Sequence, residues 1–322
     1  MIQIGLIGVG AGAVATLLFA SVTTGSWLAV FLFYLAPLPM MIAGLGWSHW
    51  SALTGALTGA LALGIVFGPI YFVTFLAGAG LPAWWLGYLA MLARPVTNGG
   101  AATLEWYPPG RLVAWAAVLA ALIVVAAIPN FGTDGESFRA GLRGAITRLL
   151  HIETGEPAAA TLSVPGVTNT DRLLDFMVSA LPAAAAVLAT ITNVINLWLA
   201  GTIVKFSGRL KRPWPALPAM TFPKLLSGVL ALAMIMTFIG GLLGIVAGVL
   251  SASLLMAYGV LGFAVLHAIT RGMNARLFLL GGIYAAVLIF GWPVLALCLL
   301  GLLDAAFDLR GRVASRGPPA TT

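Results

Sequence analysis

A chain of 322 residues that is 61% hydrophobic and only 8% charged cannot cover a soluble domain, which carries about 25% charged residues. Its net charge of +7 comes from cations set in loops between long apolar runs, which excludes a nucleic-acid surface and reads as a topology signal. The apolar runs are continuous rather than alternating, so the expected fold is an all-α polytopic transmembrane bundle and not an outer-membrane barrel.

The opening "MIQIGLIGVGAGAVATLLFASV" lacks the basic start of a signal peptide and is expected as a retained first span, about 3–22. A second span, about 27–46, is interrupted at Pro37 and Pro39. Residues 50–94 are too long for one crossing, and Gly68-Pro69 or Gly80-Leu81-Pro82 offers the break. A fifth span of about 111–129 leads into a long polar loop, about 130–170. Spans follow at about 174–204 and, as a pair, at about 225–269, separated by a basic loop from Lys205 to Lys224. Residues 277–309 read as one long helix or as a hairpin turning at Gly291-Trp292-Pro293.

The distribution of positive charge arbitrates. Arg94, Arg111, Lys205, Arg209, Lys211, Arg212, Lys224, Arg271, Arg276, Arg310, Arg312 and Arg316 share the cytoplasmic side if the N-terminus is inside and 277–309 is a hairpin. That arrangement has about ten spans with both termini cytoplasmic. The short hairpin arms leave the count between about eight and ten. Arg139, Arg143, Arg148 and Arg172 then lie outside. The expected organisation is one polytopic domain over 1–310 and a disordered cytoplasmic tail over 311–322. Within the outer loop, Phe138, Leu142, Ile146, Leu149 and Leu150 recur at helical spacing. Two readings stand for that amphipathic helix: it lies on the lipid surface, or it packs as a lid on the bundle.

Ionisable residues deep in a bilayer mark function. In this arrangement no Asp, Glu, Lys or Arg falls at mid-membrane, which argues against a carboxylate proton relay and a metal-dependent membrane enzyme. His49, His151 and His267 have no ligand spacing, Cys298 is the one cysteine, and neither a Walker sequence nor a G-x-S-x-G elbow occurs. An enzyme is not expected, nor a cofactor.

Three polar features remain. In "TNVINLWL" (192–199), Asn193 and Asn196 share a helical face, with Thr190 and Thr192 near. Such amides bond a neighbouring helix or a ligand. Asp304 and Asp308 share a face in "LLGLLDAAFDLRGR" (299–312), and Arg312 is one turn beyond Asp308. That pattern is a helix leaving the membrane, a docking surface for a cytoplasmic partner, or a lock against a nearby basic loop. "GWSHW" (46–50) places Trp47, His49 and Trp50 between two spans, as interfacial anchors or as a ligand-stacking group. Small residues four apart, Gly55 with Gly59 and Gly240, Gly244 and Gly248, form seams for internal packing or a partner subunit.

"APLPMMIAGLGWSHWSALTGALTGALALGIVFGPI" and the closing "LLGLLDAAFDLRGR" resemble the YybS-like proteins, a family built on a domain of unknown function. The matching positions are Pro37, Pro39, Gly301, Asp304, Phe307, Asp308 and Arg310. The family consists of expected bacterial inner-membrane proteins, distantly similar to the S components of energy-coupling factor transporters. The resemblance implies a fold that is S-component-like in part. It also implies a subunit that binds an unknown small molecule and works with a transmembrane coupling protein and cytoplasmic ATPases. Asn193, Asn196 and Thr190 are the expected solute contacts; Pro37, Pro39, Gly55, Gly59, Asp304, Asp308 and Arg310 are expected to dock partners or hold the fold. The alternative function is a membrane scaffold that binds other membrane proteins and transports nothing. A polar cavity beside Asn193 would favour the transporter, and a solid core the scaffold.

Overall fold

The computed structural model describes residues 2–98, 101–154 and 166–314. Of the expected disordered tail 311–322, residues 311–314 end a helix, Leu309–Ala314; the rest of it and the loop segment 155–165 lie outside those residues. The described chain is helical apart from one hairpin and divides into two compact units. One comprises Met1–Ala116, Thr190–Lys224 and the chain from Met256 onward; the other comprises Ala117–Ala189 and Leu225–Leu255.

The first unit opens with α1 (Ile2–Ala20), α2 (Trp27–Tyr34), α3 (Pro37–Gly46), α4 (His49–Phe67), α5 (Pro69–Phe75) and α6 (Leu81–Ala90). Local chemistry sets each boundary. The Ser26 hydroxyl accepts from the Ala29 N–H at the start of α2, and the Ser48 hydroxyl accepts from the Trp50 N–H at the start of α4, both as N-caps. Pro37 has no N–H to continue α2, so α2 and α3 form one broken span, Trp27–Gly46. Gly68 adopts φ +101°, open to glycine, and Pro69 starts the next helix. The stretch 50–94 therefore turns at Gly68-Pro69, and Gly80-Leu81-Pro82 is carried through as a π-turn over Leu76–Gly80.

α1 and α4 approach backbone to backbone. A Cβ on Gly55 would lie 2.9 Å from the Gly8 carbonyl oxygen, and one on Gly59 would lie 2.8 Å from the Phe75 ring. The Ser51 hydroxyl donates to the Ile4 carbonyl at 3.1 Å and the Thr16 hydroxyl to the Gly59 carbonyl at 3.3 Å. Gly55 and Gly59 thus face neighbouring segments of their own chain. Close small-residue contact with hydroxyl bonds is how helices associate where lipid offers no hydrophobic gain.

β1 (Ala93–Asn98) and β2 (Ala101–Trp106) pair antiparallel, with Ala93 opposite Trp106 and Val96 opposite Thr103. This hairpin departs from an all-helical expectation. The Asn-Gly-Gly sequence at 98–100 is its signature.

The remaining elements are α7 (Pro109–Ala127), α8 (Gly135–Thr154), α9 (Thr170–Phe206), α10 (Lys224–Met236), α11 (Gly241–Ile269), α12 (Arg276–Phe290), α13 (Val294–Phe307) and α14 (Leu309–Ala314). Among the described residues, seven helical segments are long and apolar enough to cross a membrane. Three shorter apolar segments are Lys224–Ile239, Arg276–Phe290 and Val294–Phe307. The stretch 277–309 is two helices that break at Gly291, φ +72°. In the first unit α11 and α13 meet through glycines: a Cβ on Gly259 would lie 3.1 Å from the Cys298 sulfur, and one on Gly301 would lie 3.0 Å from the Gly262 nitrogen.

In the second unit Asp134 caps α8, its Oδ1 accepting the Glu136 and Ser137 N–H groups at 2.9 Å. Phe138, Leu142 and Ile146 of α8 are buried with Ile128, Leu174 and Val178. Burial of such side chains stabilises by about 1.5–3 kcal/mol each. Arg143 bridges Asp171 at 2.7 Å and also contacts Asp175. The inner part of the apolar stripe thus packs on protein, while Leu149 and Ile152 stay exposed.

Candidate functional site

The broken span α2–α3 creates a polar need inside the bundle. In an unbroken helix the Tyr34 carbonyl would accept from residue 38. Here the Leu38 N–H turns to Leu35, and Pro37 and Pro39 have no N–H. The freed Tyr34 carbonyl is taken by Asn196, whose Nδ2 donates to it at 2.8 Å and to the Thr192 carbonyl at 2.8 Å. Two carbonyls on one amide nitrogen also fix which end of Asn196 is oxygen. Pro37 and Asn196, far apart in sequence, are thereby parts of one arrangement. Neighbouring helices commonly resatisfy backbone freed by proline in this way.

Two atoms are left over. The Asn196 Oδ1 and the Asn193 Nδ2 are buried and make no hydrogen bond. Both residues are enclosed, at 1% and 2% exposure, and Thr190 beside them is fully buried. Along α9, Asn196 and Asn193 stand about 14 and 18 Å from Lys205 at ~1.5 Å per residue. With Lys205 at the membrane edge, that depth is the middle of a hydrocarbon layer about 30 Å thick. A buried donor or acceptor without a partner costs about 1–3 kcal/mol, so one free donor beside one free acceptor is a feature to be explained.

The C-terminal carboxylates separate. Asp304 is buried and forms an ion pair with Arg310, Nη2 to Oδ2 at 2.7 Å, with Nε and the Arg310 backbone N–H also donating to it. Arg310 Nη1 donates to the Pro218 carbonyl at 2.7 Å. The pair therefore ties the end of α13 to the loop 207–223. Asp308 is exposed, adopts φ +48° at the end of α13, and caps the Gly311 N–H. Gly301 sits one turn before Asp304 and lets the Tyr258 carbonyl of α11 approach.

Arg212 was not singled out by the sequence, where it is one of several loop cations. It is buried, and its guanidinium donates to the Ala90 and Tyr107 carbonyls at 2.8 Å, closing the ends of α6 and of the hairpin. Burial lowers its pKa. A pattern of single cations among apolar spans gives no sign of which one turns inward. Among the described residues, no group of three His, Cys, Asp or Glu side chains could hold a metal ion.

These elements define a multi-pass α-helical membrane protein, on the length and apolarity of seven helices. Comparison with family models, with curated proteins and with solved structures finds no match to this chain.

Proposed function

We propose that this protein is a transport-related subunit of a bacterial inner membrane that captures a small solute. In this reading the three short apolar helices also cross, giving ten spans with the seven long ones and both termini on the cytoplasmic side. α12 is about 22 Å long at ~1.5 Å per residue, so the bilayer thins or the helix ends snorkel around it. The observation that carries the reading is the unpaired Nδ2 of Asn193 and Oδ1 of Asn196, about 14 to 18 Å along α9 from Lys205 at ~1.5 Å per residue. They offer a donor and an acceptor to an uncharged polar group and no ionised side chain to a charged one. Thr190 lies one turn from Asn193 on the same helix. The resemblance to YybS-like proteins supports the same class, with a coupling protein and ATPases as partners.

One observation favours the second reading, a scaffold. The two free amide atoms have under 1 Å² of accessible surface, so in this conformation no water-sized space touches them. A transporter would open here; a scaffold would not. The test is purification from native membranes in mild detergent, with mass spectrometry of retained solutes and proteins. Capture of one stoichiometric solute that is lost in Asn193→Leu/Asn196→Leu supports the solute subunit. Solute capture unchanged in that variant sinks the site. Recovery of an integral membrane partner and no solute, in both proteins, moves the assignment to the scaffold.

A further inference from the structure

The turn between α3 and α4 borders a recess of about 280 Å³. Its walls are Trp47, Tyr88, Met91, Leu92 and Trp106, and its polar groups come from Ser48, His49 and Lys211. A second recess of about 400 Å³ shares Leu92 and Trp106 and adds Arg94, Tyr107 and Arg111. Glu105 is the carboxylate on this lining, and it is engaged by Arg94 at 2.7 Å. Arg111, Arg209 and Lys211 have no carboxylate partner among the described residues. Arg209 lies 4.6 Å over the Trp47 ring, a cation–π contact that holds the charge at the rim. The His49 ring meets Tyr88 edge-on at 5.2 Å. Next to His49 and Glu105 in the sequence, Trp50 and Leu104 expose large apolar surface, at 59% and 60%.

An aromatic cup with uncompensated cations at its rim is matched by an anion that carries an apolar body. Lys211 lines the first recess, Arg111 lines the second, and Arg209 stands over Trp47 of the first; like charges repel, so a bound anion would relieve them. We propose that this double recess binds a phosphate ester, with the phosphate at Lys211, Arg209 and His49 and the apolar part against Trp47, Trp106 and Leu92. Two sources share that chemistry, an anionic phospholipid headgroup and a soluble sugar or glycerol phosphate. The site is separate from the Asn193–Asn196 pair and stands or falls without it.

The test uses the purified full chain in nanodiscs of zwitterionic lipid. Tryptophan fluorescence is titrated with short-chain phosphatidic acid, glycerol 3-phosphate and inorganic phosphate, and native mass spectrometry counts retained lipid. Saturable binding of the lipid alone assigns a membrane ligand; equal binding of glycerol 3-phosphate assigns a soluble one. Lys211→Gln and Arg209→Gln, both exposed, are expected to weaken binding on the order of fivefold each, and together roughly 25-fold. Arg139→Gln, in the other unit, should leave it unchanged. No saturable binding of any of the three, or full affinity in the Lys211→Gln/Arg209→Gln protein, overturns the proposal.

Discussion

Asp304→Ala removes the partner of a cation that cannot easily return to water. Arg310 keeps 14% side-chain exposure and Asp304 2%, so both charges are largely desolvated. Asp304 accepts from the Arg310 Nε, Nη2 and backbone N–H, and only the Pro218 carbonyl would remain to the guanidinium. Breaking such a pair from one side costs about 3–5 kcal/mol, because an unpaired charge stays buried. Replacing both partners by apolar residues, Asp304→Leu/Arg310→Met, is expected to cost under about 1 kcal/mol by the same logic. At about 2 °C per kcal/mol for a chain of this size, the single variant should melt ~6 °C or more below the parent, and the double variant within ~2 °C. Cys298 supplies the assay. It is the one cysteine, buried in α13 one turn before Gly301, so a thiol-reactive dye reports opening of the α11–α13 contact on heating in detergent. An unshifted single variant, or a double variant as unstable as the single, would refute the claim that Asp304 and Arg310 act as a buried pair.

Asn196→Leu leaves the Tyr34 carbonyl without its donor and should lower stability by about 1–3 kcal/mol. Asn193→Leu should be neutral or stabilising in the same dye assay, because its Nδ2 has no partner to lose; a large loss would show that Asn193 is a structural residue. Gly55→Val should fail to assemble or melt far below the parent, since its Cβ would stand 2.9 Å from the Gly8 carbonyl, a backbone atom that cannot rotate away. The Ser137 hydroxyl and N–H, with the Glu136 N–H, hold the Asp134 carboxyl below its ordinary 3.8. A depressed acid stabilises above its unfolded pKa and loses that contribution as pH falls through the folded one. Protection from hydrogen exchange in the first turn of α8, taken relative to the intrinsic rate at each pH, should therefore fall below about pH 3.8 in the parent but not in Asp134→Asn.

Apolar length and punctuation were legible in the sequence. The breaks at Pro37, Gly68-Pro69 and Gly291 follow from residues that cannot continue a helix, whatever surrounds them. The amphipathic stripe of α8 was legible for the same reason, as was the shared face of Asn193 and Asn196. The hairpin at 93–106 was hidden because Pro95 and a short apolar alternation carry a weak strand signal; Asn98-Gly99-Gly100 was its one clear mark. What no local pattern gives is the partner of a polar group. Spacing put Asp304 on the face of Asp308 and Asp308 one turn from Arg312, yet Asp304 pairs with Arg310, six residues on, because the backbone turns left-handed at Asp308. Nor could spacing say that Asn196 answers a carbonyl freed by Pro37, or that Arg212 points inward.

That difference follows from the solvent. In water, apolar burial selects partners along a whole face, and the face is written in the sequence. In hydrocarbon, helices gain little by exchanging lipid for leucine, and association rests on close small-residue contact and a few polar bonds. Here those are the Gly8–Gly55 crossing, the Asn196–Tyr34 bond, the Gly301–Tyr258 approach and the Asp304–Arg310 pair. Each is a meeting of two distant points rather than a periodic pattern. An isolated polar group left over from such pairing costs more than it would at a water-facing surface. Buried alanines and leucines in a span need no partner; a free amide donor and a free acceptor one turn apart do. Asn193 and Asn196 hold such atoms, whereas most charged residues of the loops have either a partner or water.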